Sequence, residues 1–281
     1  MTEPKNIALL CNPVLEKALR TGDEIIDLLR SREINHAVFT TYWPTVWDGF
    51  TEAWVIGGDG TLHQFINTYP NFALPLALFA GGSGNDLHWT LYGDVPVAAQ
   101  VERVLNARPR RVDAGECNGR LFLNGVGIGF DGMVVKSMLG KKKLAGKASY
   151  LLSIMKHIFL YRERTCTITY NNTTHISDCL MISIANGKRY GGGFQIAPKA
   201  VVTDGLLDLV VVEKIDAAQR LRYLPVIERG EHLHLPFVQY KQTGSVRISC
   251  ATPLHAHLDG EYLSAATFDI RCLENAFLFL W

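Results

Sequence analysis

Apolar residues open the chain in a short run over 6–10, then recur at helical spacing through Ala18, Ile25, Ile26 and Leu29. The pattern predicts a strand followed by a helix over 14–32. It continues with strands over 36–42 and 53–56, a helix over 62–67, a strand over 74–80, and helices over 85–91 and 95–107. Strands that alternate with helices predict βαβ units and a parallel sheet. Beyond about Arg110 the period falls to two, over 166–170, 180–185, 206–213, 246–250 and 266–273, with helical interruptions over 147–161 and 216–228. An α/β half is therefore expected ahead of a β-rich half, joined between Arg110 and Gly119. The corresponding domains are residues 1–115 and 116–281, with the last strand free to return to the first domain.

Composition narrows the class. In 281 residues, 28 Lys and Arg face 27 Asp and Glu, a net charge of +1, so no basic surface for nucleic acid is implied. Hydrophobic residues make up 48% and charged residues 20%, as in a folded chain with a core of its own. The longest apolar run, Phe72 to Gly82, is broken by Pro75 and falls short of the roughly 18 residues a membrane span needs. Nothing at the start reads as a signal peptide. A soluble, cytoplasmic protein is expected, its six scattered cysteines reduced and the sequons at Asn171 and Asn172 unused.

Thirteen of the 25 glycines fall in four clusters, at 57–60, 81–84, 125–132 and 191–193. Glycine lets backbone approach a ligand closely, so clusters at strand ends are candidate phosphate cradles. Gly57-Gly58-Asp59-Gly60-Thr61 follows an apolar strand and precedes a helix, the place where open α/β sheets bind anions. Asp59 would repel a phosphate directly and suits a Mg²⁺ ion or water that bridges to one. The plainer alternative is a tight turn with Asp59 capping the helix. A second strand, turn and helix follow at Gly81-Gly82-Ser83-Gly84-Asn85-Asp86, and two such loops can contact one nucleotide. Ser83 is not a hydrolase nucleophile, because GxSxG needs glycine where Asn85 stands.

Other patterns carry less. Gly127, Gly129 and Gly132 fit GxGxxG without the acidic ribose partner about 20 residues on. GKKKLAGKAS misses the phosphate-loop spacing by one residue, leaving a positive patch of Lys141, Lys142, Lys143 and Lys147 suited to a solvated loop or to anionic lipid. The pairs His232/His234 and His255/His257 lack further ligands at zinc spacing. Asp204-Gly205 reads as a turn, and Asp259-Gly260-Glu261 as a hairpin turn between strands.

Taken together, GGDGT at 57–61, GGSGND at 81–86, FQIAPKAVVTDGLLDLVVV at 194–212 and LDGE at 258–261 resemble the diacylglycerol kinase catalytic-domain family, in particular its soluble bacterial lipid kinases, which are similar to sphingosine kinases. The resemblance spans about 200 residues in order. It implies an N-terminal α/β domain like that of NAD kinases and phosphofructokinases, a C-terminal β-sandwich, and an active site in the cleft between them. It implies ATP and Mg²⁺ as cofactors and a lipid at the membrane surface as acceptor.

By the same resemblance, Gly57, Gly58, Asp59, Gly60, Thr61, Leu62 and His63 would hold the nucleotide phosphates together with Gly82, Ser83, Gly84 and Asn85. Thr40 or Thr41 matches a further nucleotide-contacting threonine, and Glu261 joins the cofactor set. Asp59, Asp86 and Asp113 would organise the catalytic Mg²⁺, partly through water, and Asp259 would be the base that takes the proton from the lipid hydroxyl. A structural metal would sit on Asp204 with the carbonyls of Val201 and Leu206. The chain departs from the family where Asn12-Pro13 lacks the following serine and glycine, where His63-Gln64 replaces Asn-Glu, and where GGSGND replaces GTGND. Two other readings compete, an NAD kinase-like enzyme and a non-catalytic lipid- or nucleotide-binding relative. An exposed sheet edge in the β-rich half would permit a homodimer.

Overall fold

The computed structural model describes residues 4–140 and 147–281, and the chain divides into two compact units. The first comprises residues up to Val112 and 275–281, and the second Asp113–Glu274.

In the first unit the order is β1 (Asn6–Cys11), α1 (Glu16–Arg30), β2 (Asn35–Phe39), β3 (Glu52–Gly57), α2 (Asp59–Thr68), β4 (Leu76–Ala80), α3 (Asp86–Tyr92) and α4 (Val97–Asn106). The strands lie in the order β2-β1-β3-β4, every pair parallel, with Phe279 from the end of the chain beside Leu76 of β4. Ile7 to Leu10 and Ala53 to Ile56 are fully buried, which is why these strands read as unbroken apolar runs rather than as alternation. Helix α1 seals the sheet with Ala18, Ile25 and Leu29, the positions that carried its helical spacing. Because all four strands run the same way, Cys11, Phe39, Gly57 and Ala80 end at one edge. The chain passes from β1 to β2 on one side and returns to β3 on the other, so a topological switch point lies between β1 and β3.

β5 (Pro109–Cys117) leads into the second unit, which continues with β6 (Arg120–Phe122), β7 (Gly125–Gly129), α5 (Phe130–Met138), α6 (Lys147–Leu160), β8 (Arg164–Tyr170), β9 (Thr173–Ala185), β10 (Leu207–Glu213), α7 (Ala217–Glu228), β11 (Val238–Thr243), β12 (Ser245–Leu258) and β13 (Glu261–Leu280). Here every described pairing is antiparallel. Two long strands change partner along their length. Arg164 to Tyr170 of β8 pairs the first part of β9, while β7 pairs the last part. β12 likewise meets β8 at Val246 to Cys250 and β7 at Ala256 to Leu258, with a register shift between Ser249 and Leu254 where the strand bends. The result is two layers over one core, a β-sandwich, built from the inward positions Ile168, Ile184, Leu209, Ile248, Leu258 and Phe268. The opposite face of β9 and β10 is covered by α5 and α6 through Phe130, Val134, Ile154 and Ile158.

The expected fold class, α/β followed by a β-sandwich, is what the chain adopts. Particular elements differ. Helix α2 starts at Asp59, so the glycine turn is itself the first helical turn. β2 stops at Phe39, before Thr40 and Thr41. β5, β7, β11 and α5 carry no clear period in the sequence. β7 is GVGIG, fully buried, and its glycines leave no alternation to read. Lys141, Lys142 and Lys143 lie outside the described residues, as does the side chain of Lys147. Among the described residues no helix is long and apolar enough to cross a membrane.

Candidate active site

At the carboxyl edge of the first unit the two glycine turns are packed backbone to backbone. The N–H of Gly81 donates to the carbonyl of Gly57 at 2.8 Å, and a Cβ on Gly82 would stand 2.6 Å from the Cα of Gly58. A side chain at either position would force the turns apart, so both must be glycine. Gly58 is the N-cap of α2, whose first N–H groups have no intrahelical partner. Thr61, buried in that first turn, accepts a hydrogen bond at 2.8 Å from Asn12 Nδ2, a link across the β1/β3 switch point.

Asp59 is the first residue of α2, whose N-cap is Gly58, and its carboxylate reaches beyond its own helix. Its Oδ2 accepts the N–H of Asn85 and its Oδ1 the N–H of Asp86, each at 2.8 Å, so it fastens the second glycine turn to the first. Asn85 sits in the left-handed region at φ 54°, and its side chain exchanges hydrogen bonds with Gly82 N and O, both at 2.8 Å. Asp86 is buried, whereas Ser83 and Gly60 are exposed. Leu62 and His63 are buried inside α2, where His63 meets Asn67 of the next turn. Thr40 and Thr41 are exposed just past the end of β2, at the same edge as the glycine turns.

Asp113, Asp204 and Asp259 belong to the second unit. Asp259, at φ 48° in the turn between β12 and β13, receives three backbone N–H groups: Asn124 at 2.9 Å and Gly125 at 2.8 Å on Oδ1, and Leu123 at 2.9 Å on Oδ2. Its own N–H donates to the carbonyl of Gly125. The carboxylate is thus fixed in orientation by residues about 135 positions away. Asp113 is buried and accepts the N–H of Gly205 at 2.8 Å. Asp204, next to it in sequence, is exposed; its oxygens take Leu206 N at 3.1 Å and Gln242 Nε2 at 3.3 Å. Val201 is also exposed. Among the described residues no group of three or more His, Cys, Asp or Glu is arranged to hold a metal ion. Glu261 is exposed at the start of β13.

Asn186, Asp131 and Tyr190 of this neighbourhood went unmarked in the sequence, and His257 was marked only as part of a histidine pair. Asn186 Nδ2 donates both to Asp113 O at 2.9 Å and to Leu123 O at 2.8 Å, joining the backbone behind the two acids. His257, two residues before Asp259, is buried, and burial pushes its imidazole down to about 4, with the charge of Asp259 opposing the shift. Gly260 N donates to its Nδ1 at 3.3 Å, which assigns the proton of the neutral ring to Nε2. Asp131, at the start of α5, is buried and pushed up to about 6; Tyr190 OH donates to it at 2.6 Å and partly offsets the rise. Over Gly127 a Cβ would meet His257 Nε2 at 2.5 Å and Asp131 Oδ2 at 3.0 Å. The GxGxxG glycines therefore serve close packing of α5, β7 and β12, and Gly191, Gly192 and Gly193 form a left-handed turn across the Tyr190 to Phe194 bridge.

Asp131 and Tyr190 also line an apolar cavity within the second unit, with about 560 Å³ of empty space including its open mouth. Its walls come from Phe130, Ile154, Ile158, Met181, Phe194 and neighbouring apolar residues. Two further residues with polar atoms line it, Tyr223 and Arg220, and the arginine is engaged by Glu163 and the carbonyls of Ile158 and Tyr161. An apolar lining with a few polar groups suits an apolar ligand carrying one polar end.

Comparison with known proteins identifies the two domains. The diacylglycerol kinase catalytic domain matches residues 12–117, and the YegS C-terminal NAD kinase beta sandwich-like domain matches residues 124–280, more than half of the chain. A protein of Staphylococcus saprophyticus named diacylglycerol kinase is 26% identical over 247 residues, covering 86% of this chain and 76% of its own. A diacylglycerol kinase of Bacillus subtilis is 26% identical over 212 residues, 73% of this chain and 69% of its own. A crystal structure of a diacylglycerol kinase from Bacillus anthracis superimposes with a TM-score of 0.77 at 19% identity, over 100% of this chain and 98% of that one. The chain belongs to the family that joins a diacylglycerol kinase catalytic domain to a YegS-type β-sandwich domain.

Proposed function

We propose that this member of the family is an ATP-dependent kinase that transfers a phosphoryl group to the hydroxyl of a lipid. The observation that carries the lipid is the apolar cavity of the second unit, whose polar residues are few and specific. The first unit supplies the nucleotide site. Gly57 to Thr61 offer a helix N-terminus opened by three glycines at the switch point, and the Gly81 to Asn85 turn lies against it, chemistry that fits a chain of phosphates.

The carboxylates of Asp59 and Asp86 are hard oxygen donors of the kind Mg²⁺ takes. Both oxygens of Asp59 already receive backbone N–H groups, so water-bridged contact is the form that fits. When bound, the ion neutralises charge on the phosphates. The chain's own residues do the rest: Asp59 holds the two glycine turns in register, and Asp259, oriented by its three N–H donors, accepts the proton of the acceptor hydroxyl. Phosphoryl transfer asks mainly for such positioning and charge stabilisation. Asp113 belongs with the acidic set, Thr40 or Thr41 with the nucleotide, and a structural cation on Asp204 with the carbonyls of Val201 and Leu206.

The reading is tested by following ³²P from ATP to diacylglycerol, phosphatidylglycerol, a sphingoid base and NAD, with the wild type and Asp259→Asn. Label on one lipid class, lost in the variant, is expected. Label on NAD alone, or none on any acceptor while ATP still binds, sinks the lipid-kinase reading.

A further inference from the structure

Helix α6 has two faces of different character. Ile154 and Ile158 point inward, buried at 4% and 1% exposure, and line the apolar cavity. On the other side Leu152, Phe159 and Leu160 are exposed, Leu152 at 72% and Phe159 and Leu160 at 61% each, with Leu151 exposed at the border between the two faces. Positions 152, 156, 159 and 160 follow i, i+4, i+7 and i+8 spacing, so they form one stripe along the helix. Leu139, just after α5, is exposed as well at 54%. Single exposed leucines need no explanation, but a stripe of them beside a cavity does.

Charge decides what covers the stripe. Between Asp131 and Glu163 the sequence has no acidic residue and seven lysines or arginines. Of these, Lys156 lies on the outer face of α6, and Lys136 and Arg162 are exposed on either side of it. A second copy pairing through this face would bring like charges together. An anionic bilayer supplies both an apolar layer for the leucines and a negative surface for the cations. With 14 residues the helix is too short to span a membrane of about 30 Å, so the geometry that fits is a helix lying in the interface.

We propose that the outer face of α6, Leu152, Phe159 and Leu160 with Lys156, docks on the surface of a bilayer containing anionic lipid. The same helix then forms the wall between that bilayer and the cavity, one helix diameter of about 10 Å away. The purpose of docking rests on the lipid-kinase reading; the docking itself is measured without turnover.

The test is co-sedimentation with vesicles of phosphatidylcholine alone and of phosphatidylcholine with phosphatidylglycerol. Wild type is expected to partition onto the phosphatidylglycerol vesicles. The variant Leu152→Gln/Phe159→Gln/Leu160→Gln should lose nearly all of this, and Lys156→Glu should lower it by roughly tenfold, an effect added salt mimics. Phosphorylation of a short-chain, water-dispersed acceptor should be unchanged in the triple variant, since none of its positions lines the cavity. Should that variant fail to fold, Leu152→Gln at the most exposed position carries the same comparison. Equal partition of wild type and variant, or no partition of wild type onto either vesicle, overturns the proposal. So does a concentration-dependent dimer in sedimentation equilibrium that the triple substitution abolishes. Vesicle binding that behaves as expected in a protein that labels no acceptor would leave docking standing and remove the kinase reading instead.

Discussion

Asp59 and Asp259 do the same mechanical job by different routes. Each lies beside glycine in a turn, and each uses both carboxylate oxygens to hold backbone N–H groups of a distant segment. Asp59 works within the β3-α2-β4-α3 stretch, reaching Asn85 and Asp86 across neighbouring parallel strands. Asp259 works between a hairpin and a segment about 135 residues earlier, and its backbone is held at φ 48° to do so. In the parallel sheet, chain order already brings consecutive strand ends to one edge. In the antiparallel sandwich only long-range pairing does.

The comparison can be broken at Asp259 with the largest effect. Asp259→Asn keeps the size of the side chain but removes the proposed base, and kcat with the preferred lipid should fall by about 10²- to 10⁴-fold. Asp259→Ala also leaves three N–H groups unanswered, so its unfolding free energy should fall below that of the Asn variant by about 1–3 kcal/mol per buried donor at most, with a matching drop in Tm. An inactive Ala variant with unchanged Tm would mean that the three hydrogen bonds contribute nothing to the fold.

The next effect is a pH dependence in the second unit. His257 is neutral when folded, with its ring pushed from 6.5 to about 4, so protons taken up by the unfolded chain lower stability as pH falls from 6.5 toward 4. Asp131 is raised from 3.8 to about 6, so the folded state takes up its proton first and stability rises as pH falls through 6. Between pH 4 and 6 the two offset each other. Asp131→Asn removes one side, and urea melts of that variant should lose about 3 kcal/mol between pH 7 and 4 relative to wild type. Parallel curves would show that the buried carboxyl does not titrate in this window.

Gly82→Ala sharpens the first unit alone. Its methyl would stand 2.6 Å from Gly58 Cα, and overpacking of this kind costs about 1–3 kcal/mol. The expected result is weaker ATP binding by calorimetry with little change in binding of the lipid to the second unit. The smallest effect belongs to Asp204→Ala. Its hydrogen bonds are exposed and 3.1–3.3 Å long, so thermal melts should shift by no more than about 1 kcal/mol without added metal. A larger shift that chelator reproduces in the wild type would point to a cation on Asp204.

Much of the first unit was legible because its signals are local. A four-residue apolar run, a glycine turn and a helical period occur in sequence order, and parallel strands put their ends on one edge whatever the details. Even there, the partner of Asp59 was hidden, since nothing in GGDGT says that its carboxylate reaches Asn85 and Asp86 instead of its own helix. In the second unit period two revealed β8 and β10 but not β7, whose run of glycines has no side-chain alternation. Asp131, Tyr190 and His257 lie far apart in the chain and share no spacing, so no pattern could have joined them.

The order of strands and helices in the first unit, the two glycine turns and the acids beside them were therefore properties of the sequence itself, because each depends on residues within a few positions of one another. Tertiary structure decided which backbone each acid holds, where the apolar cavity opens, and which face of α6 stays bare. Those outcomes depend on burial, and burial is set by what the rest of the chain brings to a residue.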